Sequence, residues 1–417
     1  MSNRLRRRAI TAAAVLTLGV AASACGGGGG GGSDSVSVGF ELPLSGNFSA
    51  NGHNEQNGFE LGLHDFGRSV NGHKINVKYV DTHADPATAL TDARNLIQTD
   101  HIDVFEGPLA ANEIGAVTPF VGQQGVPVDD LSFCSSQQYT DYNKFGNGIT
   151  SGWGCDQPAL AGGEWAAKEK HWKHIVAVGQ DFSFGWEVVG GFAAGFKQNG
   201  GTIDKYIWVP NNATDLSAYM SQIPKNTDAV YAEMSGALAV KFTKLYESYG
   251  LKSKVPLLGI TQLTDYSVLP SESASAINGV YTDAQYCDGI STSANQKFTS
   301  EYKAKYHTYP GYYSDAGYVK AQILVSALKS MHGDASDHKA LAKAMRAVQI
   351  QAPRGPVKIS TATWSPIQNN YICQVKKVNG ELRNVPIKTF PNMQPWGQLT
   401  KQAWLKHYNH DSSGRPS

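Results

Sequence analysis

The chain has 417 residues, with 36 Lys and Arg against 35 Asp and Glu and a formal net charge of +1. A near-neutral balance with no basic block gives no electrostatic reason to expect nucleic acid as a partner. Charged residues make up only 17% of the chain while Tyr and Trp are plentiful, which excludes a disordered protein and fits a stable globular one.

The amino terminus reads as an export signal. Arg4, Arg6, Arg7 and Arg8 form a positive region, and residues 9–22 are an apolar run too short to span a bilayer. Ala22-Ser23-Ala24-Cys25 resembles a bacterial lipobox, in which the cysteine thiol is lipidated and becomes the first mature residue. The plainer alternative is an ordinary signal cut near Ala24. Residues 26–32 are all glycine and Ser33 follows, a flexible leash of the kind a lipid-anchored protein needs. Arg7-Arg8 lacks the hydrophobic pair of a twin-arginine signal. No later stretch reaches the roughly eighteen consecutive apolar residues of a membrane span. What remains is too long for one core, so two domains are expected.

After the leash, strands and helices alternate. Residues 36–44 read as a strand and 51–66 as a helix. Asn71-Gly72 is a turn before the strand 75–80. Asp85-Pro86 starts a helix whose Leu90, Ala93, Leu96 and Ile97 share a face. A strand at 102–105, a helix at 114–121 and a short strand at 126–128 complete a βαβαβαβ string, which implies a mostly parallel sheet covered on both sides. Residues 129–154 read as a loop that breaks the rhythm. A second unit of similar size follows, with helices at 158–170, 186–198 and 237–249 and strands at 175–178, 203–209, 229–232 and 255–259. Beyond Gly279 come a strand at 280–286, helices at 295–306, 318–330 and 338–348, and strands at 357–359 and 371–378. Asn379-Gly380 marks a turn, and residues 401–417 read as a polar tail.

Setting Cys25 aside, Cys134, Cys155, Cys287 and Cys373 are an even set, which suggests two disulfides in an oxidising compartment. Three pairings are possible. Cys134–Cys155 is favoured because it closes one local loop, worth roughly 3 kcal/mol in the chain-entropy model, and Cys287–Cys373 is then left over. A zinc site is disfavoured, since there is no CxxC pair and no His beside any of these cysteines.

Several landmarks stand in order: Pro43-Leu44-Ser45-Gly46, Gly52 and Gly58; Asp81 and Asp85-Pro86; Gly107-Pro108; Gly125-Val126-Pro127-Val128; Asp181 with Phe184-Gly185; Gly279-Val280-Tyr281; Tyr309-Pro310 and Tyr318. Their order and spacing resemble the branched-chain amino-acid-binding (leucine/isoleucine/valine-like) family of ABC-transporter substrate-binding proteins over roughly residues 36–380. The resemblance implies the type I periplasmic-binding-protein fold, an α/β architecture of two Rossmann-like lobes with central parallel sheets joined by a three-segment hinge. Lobe one would be 34–155 plus 282–352 and lobe two 156–281 plus 353–400. The solute would sit in the cleft, near the carboxyl ends of the parallel strands, and closure around it would be a hinge motion.

Carried over position by position, the cleft residues are Phe48, Ala110, Ala111, Leu131 and Ser132 from lobe one, Phe184, Glu233, Met234 and Thr261 from lobe two, and Tyr313 on the return. The amino-acid pattern is broken in three places. Ala111 stands where a Ser hydroxyl usually meets the α-carboxylate, and only Ser132 is available after the next strand. Thr261 stands where an acid usually meets the α-ammonium. A buried ammonium without an acid is poorly compensated, although Glu233 could substitute. The aromatic supply of Phe48, Phe184, Tyr266 and Tyr313 suits a flat or apolar solute, so the expected ligand is an amino-acid-like, amide or aromatic carboxylate molecule.

His171-x-x-His174 reads as a surface pair rather than a metal site, and no HExxH, GxSxG or Walker-type motif occurs. No cofactor, metal or nucleic acid is expected. The expected function is capture without chemistry: a monomeric, extracytoplasmic lipoprotein on the outer face of the bacterial cell membrane, serving an ABC permease. The competing function is a ligand-sensing lipoprotein of the same fold that feeds a membrane sensor. An enzyme would need a nucleophile–base pair or a metal constellation, and none is evident.

Overall fold

The computed structural model describes residues 35–408 and 415–416. The signal, Cys25 and the glycine leash lie outside the described residues.

The first lobe is built on a six-stranded sheet. Its strands are Ser35–Leu42 (β1), Ser69–Val70 (β2), His73–Asp81 (β3), Val104–Glu106 (β4), Val128–Phe133 (β5) and Gly148–Gly154 (β6), in the order β2-β3-β1-β4-β5-β6. All pairings except β2–β3 are parallel. Helices Ser49–Phe66 (α1), Pro86–Gln98 (α2), Ala111–Gln124 (α3) and Ser136–Phe145 (α4) connect them. The period-two alternation of β1 sends Val36, Val38, Phe40 and Leu42 into one core, which α1 lines with Phe59, Leu61 and Leu63. The opposite face packs on Ala89, Ala93 and Leu96 of α2 and Val117 and Val121 of α3. At the start of α2 the Asp85 carboxylate accepts the Thr88 N–H at 2.8 Å, with Pro86 in the first turn.

The chain then runs through Gln157–Lys168 (α5), His174–Gln180 (β7), Ser183–Gln198 (α6), Thr202–Val209 (β8), Ser217–Met220 (α7), Ala229–Glu233 (β9), Gly236–Ser248 (α8), Leu257–Ile260 (β10), Ala274–Ile277 (α9) and Tyr281–Ala284 (β11). Ile175 and Ala177 face α5 and α6, while Val176 and Val178 face α8. Helices Ser293–Tyr306 (α10), Tyr312–Ser330 (α11) and His338–Ala347 (α12) follow. α11 returns to the first lobe and packs on α1 so closely that a Cβ at Gly58 would meet the Ser314 carbonyl at 1.9 Å. Strands Gln349–Ala352 (β12), Gly355–Ile359 (β13), Pro366–Val378 (β14) and Glu381–Met393 (β15) then extend the second sheet. Its order is β12-β13-β14-β11-β10-β9-β7-β8, with β15 on β14. The strands from β11 to β8 are parallel, and β14 adds to β11 antiparallel. β11 and β12 therefore both lie in the second sheet.

Three expectations are corrected. Residues 129–154 are not a loop: they hold most of β5, α4 and β6. The segment is hard to read because β6 is glycine-rich for packing reasons; Tyr142 fills the space beside Gly148 and the Leu131 carbonyl that beside Gly152. Residues 381–393 form a long strand that half-exposed polar residues conceal. The tail is not simply polar: Lys401–Tyr408 (α13) is helical, and Trp404 is fully buried beside Phe133 and Leu160.

Disulfides join Cys134 to Cys155 and Cys287 to Cys373, with Cα atoms 5.1 and 6.5 Å apart. Arg354, between β12 and β13, is fully buried and donates to the Asp315 carboxylate of α11 and to the Ser151 carbonyl of β6. It ties the second sheet to the first lobe.

Candidate functional site

A cleft with about 350 Å³ of free space, part of it open to solvent, lies between the two sheets. Its walls come from strand ends and helix starts, the places where parallel sheets leave room for ligands. From the first lobe come Phe48, Leu109, Ala110, Ala111, Leu131, Ser132 and, on β6, Trp153; α11 adds Tyr312 and Tyr313 at its first turn. The second lobe supplies Phe182 and Phe184 before and within the first turn of α6, Ser235 before α8, and Gln262 after β10.

The walls are aromatic. Trp153 meets Tyr312 edge-on at 4.6 Å and Tyr313 at 6.1 Å, and the two tyrosines are 4.0 Å apart. Phe182 and Phe184 form a second pair, 6.0 Å between centroids. Such rings present flat apolar faces with polar edges.

The polar groups are neutral. No lining residue carries a charge. Helices α1, α3, α6 and α8 begin at Phe48, Ala110, Phe182 and Ser235, and none of these residues caps its helix with its own side chain. The positive dipole ends of α1, α6 and α8 therefore face the cavity, an arrangement that favours an anion, while at α3 the Glu113 carboxyl already accepts the Ala110 N–H at 3.0 Å. At α11 the Tyr312 N–H is already taken, at 2.7 Å, by the Asp265 carboxylate of the second lobe. Among the described residues the Trp153 indole N–H and the Gln262 side-chain oxygen Oε1 are buried without a hydrogen-bond partner. Ser132 Oγ lies 3.2 Å from Cys134 Sγ, and Ser235 donates both its N–H and its hydroxyl to Gln180 Oε1, at 2.8 and 2.7 Å. Burial raises the phenol pKa values of Tyr312 and Tyr313, so both hydroxyls stay protonated and can donate.

Of the residues expected in the cleft, Phe48, Ala110, Ala111, Leu131, Ser132, Phe184 and Tyr313 line this cavity. Glu233, Met234 and Thr261 do not. The Glu233 carboxyl is fully buried and accepts the Gln180 N–H at 2.9 Å, and burial pushes its pKa up to about 8. It braces the backbone and leaves an ammonium in the cavity without a partner. Met234 points into the core beneath α8 and Thr261 only opens a 3-10 turn; Ser235 and Gln262, one residue further on, face the cavity instead. Tyr266 is also elsewhere: its hydroxyl donates to the Leu382 carbonyl and its ring meets Tyr309. Leu109, Phe182 and Tyr312 were one or two residues from expected positions, whereas Trp153 sat in a segment read as loop. Among the described residues no group of His, Cys, Asp and Glu is placed to hold a metal ion, and no helix is long and apolar enough to cross a membrane.

Known proteins of this architecture match closely in extent. Leu/Ile/Val-binding protein homolog 6 of Brucella melitensis is 27% identical over 396 residues, covering 93% of this chain and 97% of the relative. A solute-binding protein of an ABC transporter from Rhodopseudomonas palustris BisB5, solved with 3,4-dihydroxybenzoic acid, superposes with a TM-score of 0.81 at 27% identity, covering 87% of this chain and 99% of that one. A second R. palustris solute-binding protein, solved with benzoate, gives a TM-score of 0.76 at 27% identity over 84% of this chain and 96% of its own. Residues 35–381 match the family model described as Periplasmic binding protein. The two-lobed fold, the cavity between its sheets and the extent of these matches agree: the chain belongs to the periplasmic binding protein family and is a small-molecule solute-binding protein of the ABC-transporter type.

Proposed function

We propose that this protein is a lipid-anchored extracytoplasmic receptor that captures an aromatic carboxylate and delivers it to an ABC permease. One observation carries the solute class: the cavity is walled by aromatic rings, converges helix amino ends and an unpaired indole N–H, and contains no acid. A carboxylate gains donors there, and a ring gains stacking surfaces. An α-ammonium would be desolvated with no counter-charge, at a cost of several kcal/mol. The two R. palustris proteins solved with benzoate-type acids support the same reading. The lobes hinge where the chain crosses between the sheets, near residue 155, after Ala284 and near residue 348. Cys25 carries the lipid, and the protein acts as a monomer.

The test is a thermal-shift panel followed by calorimetry with benzoate, 4-hydroxybenzoate and 3,4-dihydroxybenzoate against leucine, isoleucine and valine. A true solute at 100 times its Kd raises stability by about 2.7 kcal/mol. Shifts confined to the three aliphatic amino acids overturn the solute class. For the anchor, Cys25→Ser should move the protein from the detergent to the aqueous phase on Triton X-114 partition; an unchanged distribution counts against lipidation.

A further inference from the structure

A second, more polar cleft with about 530 Å³ of free space, part of it open to solvent, adjoins the first and shares two wall residues with it, Phe48 and Ser235. The partition is a contact between lobes. Phe48 comes from the first lobe, and its ring edge lies 3.4 Å from where a Cβ would stand on Gly236 of the second. Behind it, Gln180 is fixed on both sides: its amide nitrogen donates to Asn211 Oδ1 at 2.5 Å and its oxygen accepts from Ser235. The rest of the annex is lined by Asn47, Asn212, Thr214 and Lys241. Among the described residues no carboxylate pairs with the Lys241 ammonium. Asp215, which follows the wall residue Thr214, is turned to accept the Ser217 N–H at 2.9 Å.

These features divide the interlobe space into a neutral aromatic chamber and a polar annex with one unpaired cation. We propose that the annex is a second subsite, and that the protein accepts an aromatic carboxylate bearing a short tail that ends in a second carboxylate, which Lys241 holds. Phe48 is then the specificity-determining residue, a partition past which the tail runs. The proposal rests on the aromatic-carboxylate reading above.

The probes are benzoates carrying a para ω-carboxyalkyl tail of varied length, paired with 4-alkylbenzoates of matching length and with benzoate itself. Calorimetry on the wild-type protein should show one dicarboxylate length binding about fivefold tighter than its alkyl match, the upper range for a solvent-exposed ion pair. Lys241→Ala should erase that preference and leave the Kd of benzoate unchanged. Phe48→Ala should weaken benzoate and relax the dependence on tail length. If benzoate binds but neither kind of tail is admitted, or if Lys241→Ala retains the dicarboxylate preference, the annex is refuted while the aromatic chamber stands. If no benzoate binds at all, both readings fall.

Discussion

Replacing Trp153 with phenylalanine separates solute binding from folding. The indole N–H is buried, unpaired and part of the cavity wall, while the ring packs edge-on to Tyr312. Trp153→Phe keeps an aromatic ring but deletes the donor. The smaller ring loses about 1 kcal/mol of packing, in the range of modest large-to-small changes. Removing a buried donor that has no partner returns about 1 kcal/mol or more. The unfolding free energy of the empty protein should therefore change by no more than about 1 kcal/mol. Binding is different, because a hydrogen bond to a charged acceptor contributes about 1.5–3 kcal/mol. The Kd for benzoate should rise by about tenfold to a hundredfold. Benzamide, a neutral acceptor, should lose about half as much free energy. The assay is calorimetry with both ligands beside urea unfolding of the empty protein. A benzoate Kd within about twofold of wild type, in a variant that folds, refutes the assignment of the indole as a solute donor.

Other perturbations follow from the same geometry. Gly236 has a φ of +57°, and a methyl there would sit 3.0 Å from the Asn47 carbonyl of the opposite lobe. Gly236→Ala should cost about 1–2 kcal/mol of stability and, by holding the lobes apart, enlarge the radius of gyration of the loaded protein in X-ray scattering; an unaltered loaded radius contradicts this. Glu233 keeps its proton up to about pH 8 in the fold, whereas its ordinary value is 4.5. Between those values the folded state binds more protons than the unfolded one, so this group's stabilisation is full below pH 4.5 and is lost as pH rises through 8. Glu233→Gln should flatten the fall of Tm between pH 5 and 8 (about the span of those two values), and an equally steep fall would refute the assignment. The disulfides close sequence separations of 21 and 86 residues. Opening Cys134–Cys155 by double serine substitution should cost roughly 3 kcal/mol and opening Cys287–Cys373 roughly 4.6 kcal/mol in the chain-entropy model, read by guanidinium unfolding; a reversed order would point to strain or residual unfolded structure.

Much of the fold was legible because its signals are local. Alternation in β1 and the Asp85-Pro86 start of α2 are short-range patterns, and the order of such patterns identified the two-lobed family. β6 escaped because its glycines serve the Tyr142 ring and the Leu131 carbonyl, neighbours that only the folded chain brings close. β15 escaped because an outer strand half in solvent carries no sustained apolar alternation. The cavity was legible where a helix start fixes direction, as at Ala110, Ala111 and Phe184. It was missed by one residue at Met234 and Thr261, where the exact turn after a strand decides which side chain faces inward.

The path of the chain also sets an order of assembly. The core beneath β1 is closed by α11, more than 250 residues later, and β11 gains its second neighbour only when β14 arrives. Trp404 fills the last gap, beside residues from both halves. Neither half can finish its interior on the ribosome before nearly the whole chain has emerged.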